Sequence, residues 1–128
     1  MNKLIIDATR DKIFFMLIKK DISHNISHEN TKVNFEKIML LIIEFLNSNN
    51  VKLNDISKIY VNRGPGSFAG IRNSLSTIKA INLANKTDYY CYSFDDFVNE
   101  KDIKYENIPF LCDKFEIKKN LIKPIYIS

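Results

Sequence analysis

The first candidates for a functional site are Gly64, Gly66 and Gly70, the only glycines among the 128 residues of the chain. A glycine-rich turn between a strand and a helix can bind phosphate through the free amides at the start of the helix. The spacing here, G-x-G-x-x-x-G, is neither that of a Walker loop, which closes with Gly-Lys-Ser/Thr, nor that of the dinucleotide fingerprint. The alternative is a tight turn in which Pro65 fixes φ and the glycines let backbone segments approach closely. Spacing alone leaves both interpretations open.

A second group of candidates is Asp7, His24 and His28. Asp7 ends an apolar run, where its carboxylate could hold magnesium or a phosphate-bound water, or accept hydrogen bonds from turn amides. The two histidines have the spacing of a metal site on a helix, but their segment is predicted as a strand, in which they would lie about 13 Å apart. No Ser-His-Asp or Cys-His grouping has a plausible scaffold. We therefore predict no metal site and no catalytic residue in this chain.

Composition argues against several classes of protein. The net charge is +4, but only three of the 19 basic residues are arginine and the lysines are scattered, whereas a nucleic-acid surface clusters its basic residues and is rich in arginine. The longest apolar stretch, Ile38–Leu46, contains Glu44 and is too short for a membrane span, and no signal peptide is visible. Cys91 and Cys112 have apolar and aromatic neighbours, as is typical of reduced core cysteines. We expect a cytoplasmic protein without a membrane or direct nucleic-acid surface.

The pattern of apolar residues predicts a mixed sheet covered by helices, in the order βββαβαβα with a short C-terminal strand. The first three strands are close enough to form an antiparallel meander, and the next two are reached through helical crossovers. The predicted strands are Lys3–Ala8, Lys12–Lys19, Ile22–Ile26, Ser57–Asn62 and Tyr89–Ser93, with short extended candidates at Ile108–Cys112 and Lys123–Ile127. The predicted helices are Thr31–Asn47, Ala69–Asn85 and a short one over Phe94–Asn99, which Ser93 can cap.

The two long helices have faces that indicate a partner. In Thr31–Asn47 the bulky polar positions form one narrow stripe, so the apolar arc is wider than a single buried face requires. In Ala69–Asn85 small residues recur at every fourth position, which lets another helix approach closely. The alternative is that the two helices cover each other, and both can hold. The residues predicted to form a partner interface are Met39, Ile43 and Leu46 from the first helix and Asn73, Ser76, Thr77, Ala80 and Ala84 from the second.

The segment Val61–Leu83, VNRGPGSFAGIRNSLSTIKAINL, closely resembles the TsaB (YeaZ) family, whose members typically read GPGSF-T-G-(I/L)-R here. Lys3–Asp7 is similar to the opening strand of that family, and Ser27–Glu29 to the entry of its first helix. Tyr92–Val98 and Lys123–Ser128 resemble two later segments, the second being a Pro-x-Tyr-hydrophobic terminus. The signature loop consists of Gly64, Pro65, Gly66, Ser67, Phe68, Gly70 and Arg72.

This resemblance implies a lobe of the actin/hexokinase-like (ASKHA), ribonuclease H-like fold with a mixed five-stranded sheet. It also implies a role in making threonylcarbamoyladenosine next to the anticodon of tRNA. In the family this subunit is not the catalyst: it pairs with a TsaD-like transferase, which holds the metal and transfers the threonylcarbamoyl group, and a TsaE-like ATPase joins them. The pairing uses the two helices of the N-terminal lobe, and we expect contact with tRNA only through the complex.

The chain departs from the family pattern in ways that bear on function. Family members carry a second lobe, whereas here only Asn99–Lys123 separates the matched segments, so we expect one N-terminal lobe over residues 1–128 with a shortened tail over about 99–128. Because ASKHA nucleotide sites lie between two lobes, we expect no nucleotide or other cofactor. Ala8 and Ala69 replace threonines, and Ser74 and Ala80 replace glycines, of the family pattern.

Three functions follow as hypotheses. The first is a non-catalytic partner subunit that binds a TsaD-like transferase and, when isolated, forms a homodimer through the same helices, because an uncovered apolar patch tends to self-pair. The second is an ATP-dependent phosphotransferase or hydrolase with Asp7 and the Gly64–Gly70 loop in its site. The third is a degenerate protein-interaction module. A peptidase role has no visible nucleophile–base pair or metal triad.

Overall fold

A computed structural model, which describes residues 1–126, shows one mixed sheet of five strands. The strands are β1 (Asn2–Asp7), β2 (Lys12–Lys19), β3 (Ile22–Glu29), β4 (Ile56–Asn62) and β5 (Asp88–Tyr92). Their spatial order is β3-β2-β1-β4-β5, with β1, β2 and β3 antiparallel neighbours and β4 and β5 parallel to β1. The predicted fold class, a mixed five-stranded α/β sheet of ribonuclease H-like type, is confirmed.

The structure has four helices, of which the first three lie where helices were predicted and the fourth does not. They are α1 (Lys32–Glu36), α2 (Ile38–Ser48), α3 (Phe68–Asn85) and α4 (Ile108–Lys114). The predicted single helix Thr31–Asn47 is wrong, since it divides at Lys37, whose amide bonds to the Asn34 carbonyl at 3.2 Å and so ends the first helix after little more than one turn. Thr31 caps α1 by accepting a hydrogen bond from the amide of Asn34 at 3.1 Å. No helix within residues 1–126 has the length and hydrophobicity needed to cross a membrane.

The two faces of the sheet bury two separate apolar clusters, because successive strand residues point to opposite sides. One face packs under α2 and α3, with Leu4, Ile6 and Phe15 of the sheet against Ile42 and Ile78 of the helices. The other face packs under the C-terminal part of the chain. There Ile5, Met16, Tyr60 and Tyr92 of the sheet meet Phe97, Ile108, Leu111 and Cys112.

The C-terminal part of the chain differs most from the prediction. Ile108–Cys112, predicted as extended, is the first part of helix α4, in which Pro109 occupies the first turn, where its missing amide costs nothing. The helical spacing of Ile108, Leu111 and Cys112 buries one face against the sheet. The predicted short helix Phe94–Asn99 is only a single 3₁₀ turn over Phe94–Asp96.

The predicted terminal strand Lys123–Ile127 is not formed in its described part. Residues 123–126 have no strand pairing, although the amide of Ile125 donates to the carbonyl of Arg63 at 2.7 Å. Ile127 lies outside the described residues. The terminal segment therefore packs against the glycine loop instead of extending the sheet.

Candidate partner-binding site

The three glycines mark places where the loop between β4 and α3 packs directly against other backbone. A Cβ atom at Gly70 would overlap the carbonyl oxygen of Ala8, and one at Gly66 would overlap that of Thr9. A Cβ atom at Gly64, whose φ is +112°, would overlap the carbonyl oxygen of Ile125. The glycines are therefore explained by close backbone contact with the end of β1 and with the terminal segment.

The amides of this loop are engaged within the chain. The Ser67 amide donates to the Thr9 carbonyl at 2.9 Å, and the Gly64 amide donates to the side-chain oxygen of Asn62 at 2.9 Å. The Gly70 amide, near the start of α3, donates to the Ser67 hydroxyl at 3.2 Å. These bonds fix the direction in which α3 leaves the sheet, because they anchor its first turn to β1 and β4.

Asp7, the carboxylate that could have served a nucleotide or magnesium, is buried and fully bonded. Its Oδ1 atom accepts from the amide of Thr9 at 3.0 Å and from the Thr9 hydroxyl at 2.7 Å. Its Oδ2 atom accepts from the Asn62 side-chain amide at 3.0 Å and from the Tyr105 hydroxyl at 2.7 Å. Burial, with the nearby Asp7 charge and its hydrogen bond, raises the pKa of Tyr105, which keeps the phenol protonated as a donor. Asp7 thus works as a structural acceptor that ties three segments together.

Arg63 holds the terminal segment over the loop. Its guanidinium makes an ion pair with Asp96 at 2.7 Å and donates to the Lys123 carbonyl at 3.0 Å. Both side chains of the ion pair are largely buried. Within residues 1–126, no three His, Cys, Asp or Glu side chains lie together in a way that would hold a metal ion. His24 lies in β3 within the predicted strand Ile22–Ile26, whereas His28 lies beyond the predicted end of that strand, because β3 continues to Glu29. Ser27–Glu29, likened to a helix entry, are therefore the end of a strand.

The outer face of α3 is smooth and open to solvent. Ser76, Ala80 and Ala84 are exposed, and Asn73 and Thr77 are partly exposed beside them. The two polar side chains bond within the helix, Asn73 to the Ala69 carbonyl at 2.7 Å and Thr77 to the Asn73 carbonyl at 2.8 Å. Each of these two side chains therefore makes one hydrogen bond within its own helix. This face presents little side-chain bulk to an approaching helix.

The predicted residues of the first helix separate into two groups. Met39 and Ile43 are partly exposed on α2, whereas Leu46 is fully buried in the core and contributes no surface. Leu40, on the outer side of α2, is 50% exposed, and Val33 on α1 is 64% exposed. Sequence reasoning missed these two because it treated α1 and α2 as one continuous helix. The phase of α2 alone, with Ile38, Leu41, Ile42, Phe45 and Leu46 buried, would have placed Leu40 outward.

Leu83 is a further exposed residue on α3 that sequence reasoning did not select. Its side chain is 73% exposed and, three positions after Ala80, lies on the same side of the helix. Helical spacing was the available signal, but Leu83 was read as part of the family motif instead. The outer surface of the helix layer thus offers small residues together with isolated large apolar side chains.

The first turns of α1 and α3 enclose an open cleft of about 450 Å³. Lys32, Phe35 and Glu36 of α1 line one side of it. Ala69, Arg72 and Asn73 of α3 line the other, so Arg72 of the signature loop faces this surface and not the sheet. Of the remaining loop residues, Pro65 is exposed, and the ring of Phe68 contacts that of Tyr126 with a centroid distance of 4.7 Å and an interplanar angle of 49°. The loop and the helix layer thus form one continuous region.

Comparison with known proteins gives a consistent result. Residues 28–93, just over half of the chain, match the family model described as "TsaD: tRNA N6-adenosine threonylcarbamoyltransferase". The chain is similar to two proteins named tRNA threonylcarbamoyladenosine biosynthesis protein TsaB. The protein of Buchnera aphidicola subsp. Baizongia pistaciae is 36% identical over 70 residues, which are 48% of this chain and 32% of that protein. The protein of Buchnera aphidicola subsp. Schizaphis graminum is 29% identical over 83 residues, 65% of this chain and 40% of that one.

Among solved structures, YeaZ from Pseudomonas aeruginosa superposes with a TM-score of 0.66 at 17% identity, over 72% of this chain and 43% of that one. This likeness concerns the fold. The chain spans well under half the length of each of these relatives.

Proposed function

The chain belongs to the TsaB (YeaZ) family, and from this premise we propose that it is a non-catalytic partner subunit of a TsaD-like transferase in threonylcarbamoyladenosine modification of tRNA. The names of the two curated relatives and of the matching family model support the pathway. The division of labour, in which the transferase carries the chemistry and this chain carries the contact surface, is what the family resemblance implies, and features of the chain described below support it.

The single observation that supports this role best is the outer face of α3. Three small residues four positions apart, Ser76, Ala80 and Ala84, are exposed on this face. A helix of another protein can approach such a face to about 8 Å between axes. Leu83 beside them supplies the apolar area that drives association, because its side chain is mostly exposed in the isolated chain.

The helix layer extends this surface. Met39, Ile43 and Leu40 on α2, and Val33 on α1, are exposed or partly exposed apolar residues that a partner would cover. The cleft between α1 and α3 adds Lys32, Phe35 and Arg72, which suit a partner side chain with an apolar stem and an acidic end. We propose that these elements together form the transferase-binding surface, with Asn73 and Thr77 at its margin.

The state of Asp7 supports a non-catalytic role. All four hydrogen bonds to its carboxylate come from this chain, and one of them comes from Tyr105 in the C-terminal part, which lies against the face of the sheet opposite α2 and α3. A metal ion or a phosphate-bound water would have to displace these donors. The bonding of Asp7 therefore argues against the enzymatic alternative, although a small cavity of about 160 Å³ lies beside the glycine loop, lined among others by Thr9, Asn62 and Gly64.

The complex we propose has a TsaE-like ATPase as a further member and contacts tRNA through the transferase. The apolar surface of the isolated chain makes a homodimer through α2 and α3 the expected state before the transferase binds. The C-terminal part, about residues 99–126, packs on the second face of the sheet and buries the apolar side chains there.

A reconstituted assay tests the proposal. The TsaD-like and TsaE-like proteins of the same organism, with unmodified tRNA and the threonylcarbamoyl donor, are expected to form the modified nucleoside at a rate that depends on added chain. The chain alone is expected to form none. Modification by the chain without the transferase would overturn the proposal, as would modification by the transferase that is indifferent to the chain. Calorimetric titration of the isolated chain with magnesium and ATP should show no heat of binding; tight binding would favour the enzymatic alternative.

A further inference from the structure

Strand β3 forms an open edge of the sheet. It is the outermost strand on one side, and seven of its eight residues have exposed side chains. Its inner side pairs with β2 along its whole length, from Ile22 opposite Lys19 to Glu29 opposite Lys12. The outer row of amides and carbonyls of this strand is therefore available for pairing with another strand.

The opposite edge of the sheet is covered by the chain. Tyr90 in β5 forms an antiparallel bridge with Lys119. The Asn120 amide donates to the Tyr89 carbonyl at 2.7 Å, and the Tyr89 amide donates to the side-chain oxygen of Asn120 at 2.9 Å. Within residues 1–126, the fold thus covers the edge at β5 and leaves the edge at β3 without a pairing strand.

Strand β3 also lacks the features by which edge strands usually resist pairing. It contains no proline and no lysine, and its register with β2 runs without a bulge. Its one permanently charged residue, Glu29, lies at the end of the strand and is paired with Lys12. Eight residues is also long for an unprotected edge.

The sequence of β3 is a four-residue repeat, Ile-Ser-His-Asn followed by Ile-Ser-His-Glu. We propose that the segment Ile22–His28 pairs antiparallel with the same segment of a second copy of this chain, about a two-fold axis at Asn25. In that register Ile22 lies opposite the partner's His28, Ser23 opposite the partner's Ser27, and His24 opposite the partner's Ile26. In this register no permanently charged side chain faces another, because Ile22–His28 contains no lysine, arginine, aspartate or glutamate. Two five-stranded sheets join into one sheet of ten strands.

This interface lies apart from the outer face of α3, although α1, which belongs to the proposed transferase surface, follows β3 closely in the chain. Strand β3 is at the far side of the sheet from β5, whereas α3 connects β4 to β5. Two copies joined through β3 can therefore each keep the outer face of α3 free. Pairing through β3 and pairing through α3 are distinguished by different substitutions.

The test uses the full chain carrying Ala80→Trp, which blocks pairing through α3, and measures dimerisation by sedimentation equilibrium. We expect this chain to dimerise and the added substitution Asn25→Lys to weaken the dimer by about fivefold or more, because two lysines then face each other at the axis. Asn25 is exposed, so the substitution leaves the fold intact. The matched control Asn54→Lys, on an exposed turn away from β3, should leave the dimer unchanged.

Opposite charges at position 25 test both whether a second copy pairs with β3 and whether the two Asn25 residues face each other. A mixture of the Asn25→Lys and Asn25→Asp chains, both in the Ala80→Trp background, should form a mixed dimer tighter than either chain alone. A monomeric Ala80→Trp chain would overturn the proposal, and so would a dimer indifferent to Asn25→Lys or a mixture no tighter than its components. The Asn25→Lys chain should still bind the transferase; loss of that binding would place the transferase on β3 and would also overturn the proposal.

Discussion

The hydroxyl of Tyr105 donates a hydrogen bond of 2.7 Å to the Oδ2 atom of Asp7, across 98 positions of sequence. The ring of Tyr105 also stacks on that of Phe14, with ring centroids 4.3 Å apart. One residue of the C-terminal part thus fixes both the end of β1 and the neighbouring strand β2. The bond explains why a carboxylate at the end of the first strand, a position suited to phosphate chemistry, is structural in this chain.

Tyr105→Phe should therefore destabilise the protein without unfolding it. The substitution keeps the stacked ring and removes one donor from a buried carboxylate, for which the expected loss in free energy of unfolding is about 1.5–3 kcal/mol. Urea denaturation followed by circular dichroism measures the difference. Tyr126→Phe is the control, because Tyr126 is 42% exposed and its hydroxyl has no assigned role. Equal stability of the Tyr105→Phe and wild-type proteins would show that the bond to Asp7 contributes nothing.

Gly70→Ala should be among the most damaging single substitutions in the chain. The added methyl group overlaps the carbonyl oxygen of Ala8, which is backbone and cannot turn away as a side chain would. We expect a loss of roughly 3 kcal/mol or more, by the mechanism of overpacking a buried contact. Thermal unfolding compares this variant with Ala84→Gly, a change at an exposed helical position whose expected cost is about 1 kcal/mol. A Gly70→Ala protein as stable as wild type would mean that β1 and α3 can separate freely.

Leu46 and Leu40 provide a matched pair on one helix. Leu46→Ala should cost about 2–5 kcal/mol of stability, because the side chain is fully buried. Leu40→Ala should cost only about 0.5 kcal/mol in the isolated chain, because half of its side chain is exposed. If Leu40 belongs to the partner surface, its replacement by aspartate should weaken transferase binding while the chemical denaturation midpoint stays near that of wild type. The reverse ranking of the two alanine variants would contradict the placement of α2.

Stability should fall as the pH rises above about 9. Burial raises the pKa of Cys91, against an opposing effect of Arg63, and burial raises that of Cys112, from 9.0 to about 12 in each case. Between these values the unfolded chain releases both thiol protons and the folded chain retains them, so ionisation stabilises the unfolded state. Below about pH 9 both states keep the thiols protonated, and the two cysteines do not make the free energy of unfolding depend on pH. Buried tyrosines, including Tyr92 and Tyr105, add the same effect above their ordinary pKa of 10.0.

The measurement is the urea midpoint at pH 8 and at pH 9.8, below the range where tyrosines contribute strongly. The double variant Cys91→Ala/Cys112→Ala should show a smaller decline between the two pH values than the wild-type chain, whatever its stability at pH 8. An identical decline in both proteins would exclude the thiols as its source.

How much of the structure follows from the sequence depends on the distance between interacting residues. The first three strands could be predicted because short turns separate short runs that are rich in apolar residues. The start of α3 could be predicted because Ser67 and the glycines mark it. The break at Lys37 could not, since the apolar residues on either side continue in helical spacing. Helix α4 was missed because its short apolar run, with a proline, also suits an extended segment.

The same distinction between local pattern and long-range contact applies to the residues of the candidate site. Ser76, Ala80 and Ala84 could be selected from their spacing, which alone defines one face of a helix. The burial of Leu46 and the exposure of Leu40 depend on how α2 rotates against the sheet, which periodicity left undecided. The engagement of Asp7 by Tyr105 joins segments that no local pattern connects, and only the folded chain shows it.

The proposed role as a partner subunit is tested most directly by whether the chain binds its transferase through α3. The tagged chain is co-expressed with the TsaD-like protein of the same organism, and the amounts recovered together are measured for wild type, Ala80→Trp and the control Asn54→Trp, each shown to be folded by circular dichroism. The predicted result is a stoichiometric complex with wild type and with Asn54→Trp, and loss of the transferase with Ala80→Trp. Failure of the wild-type chain to retain the transferase, or equal retention by the Ala80→Trp chain, would contradict the proposed role.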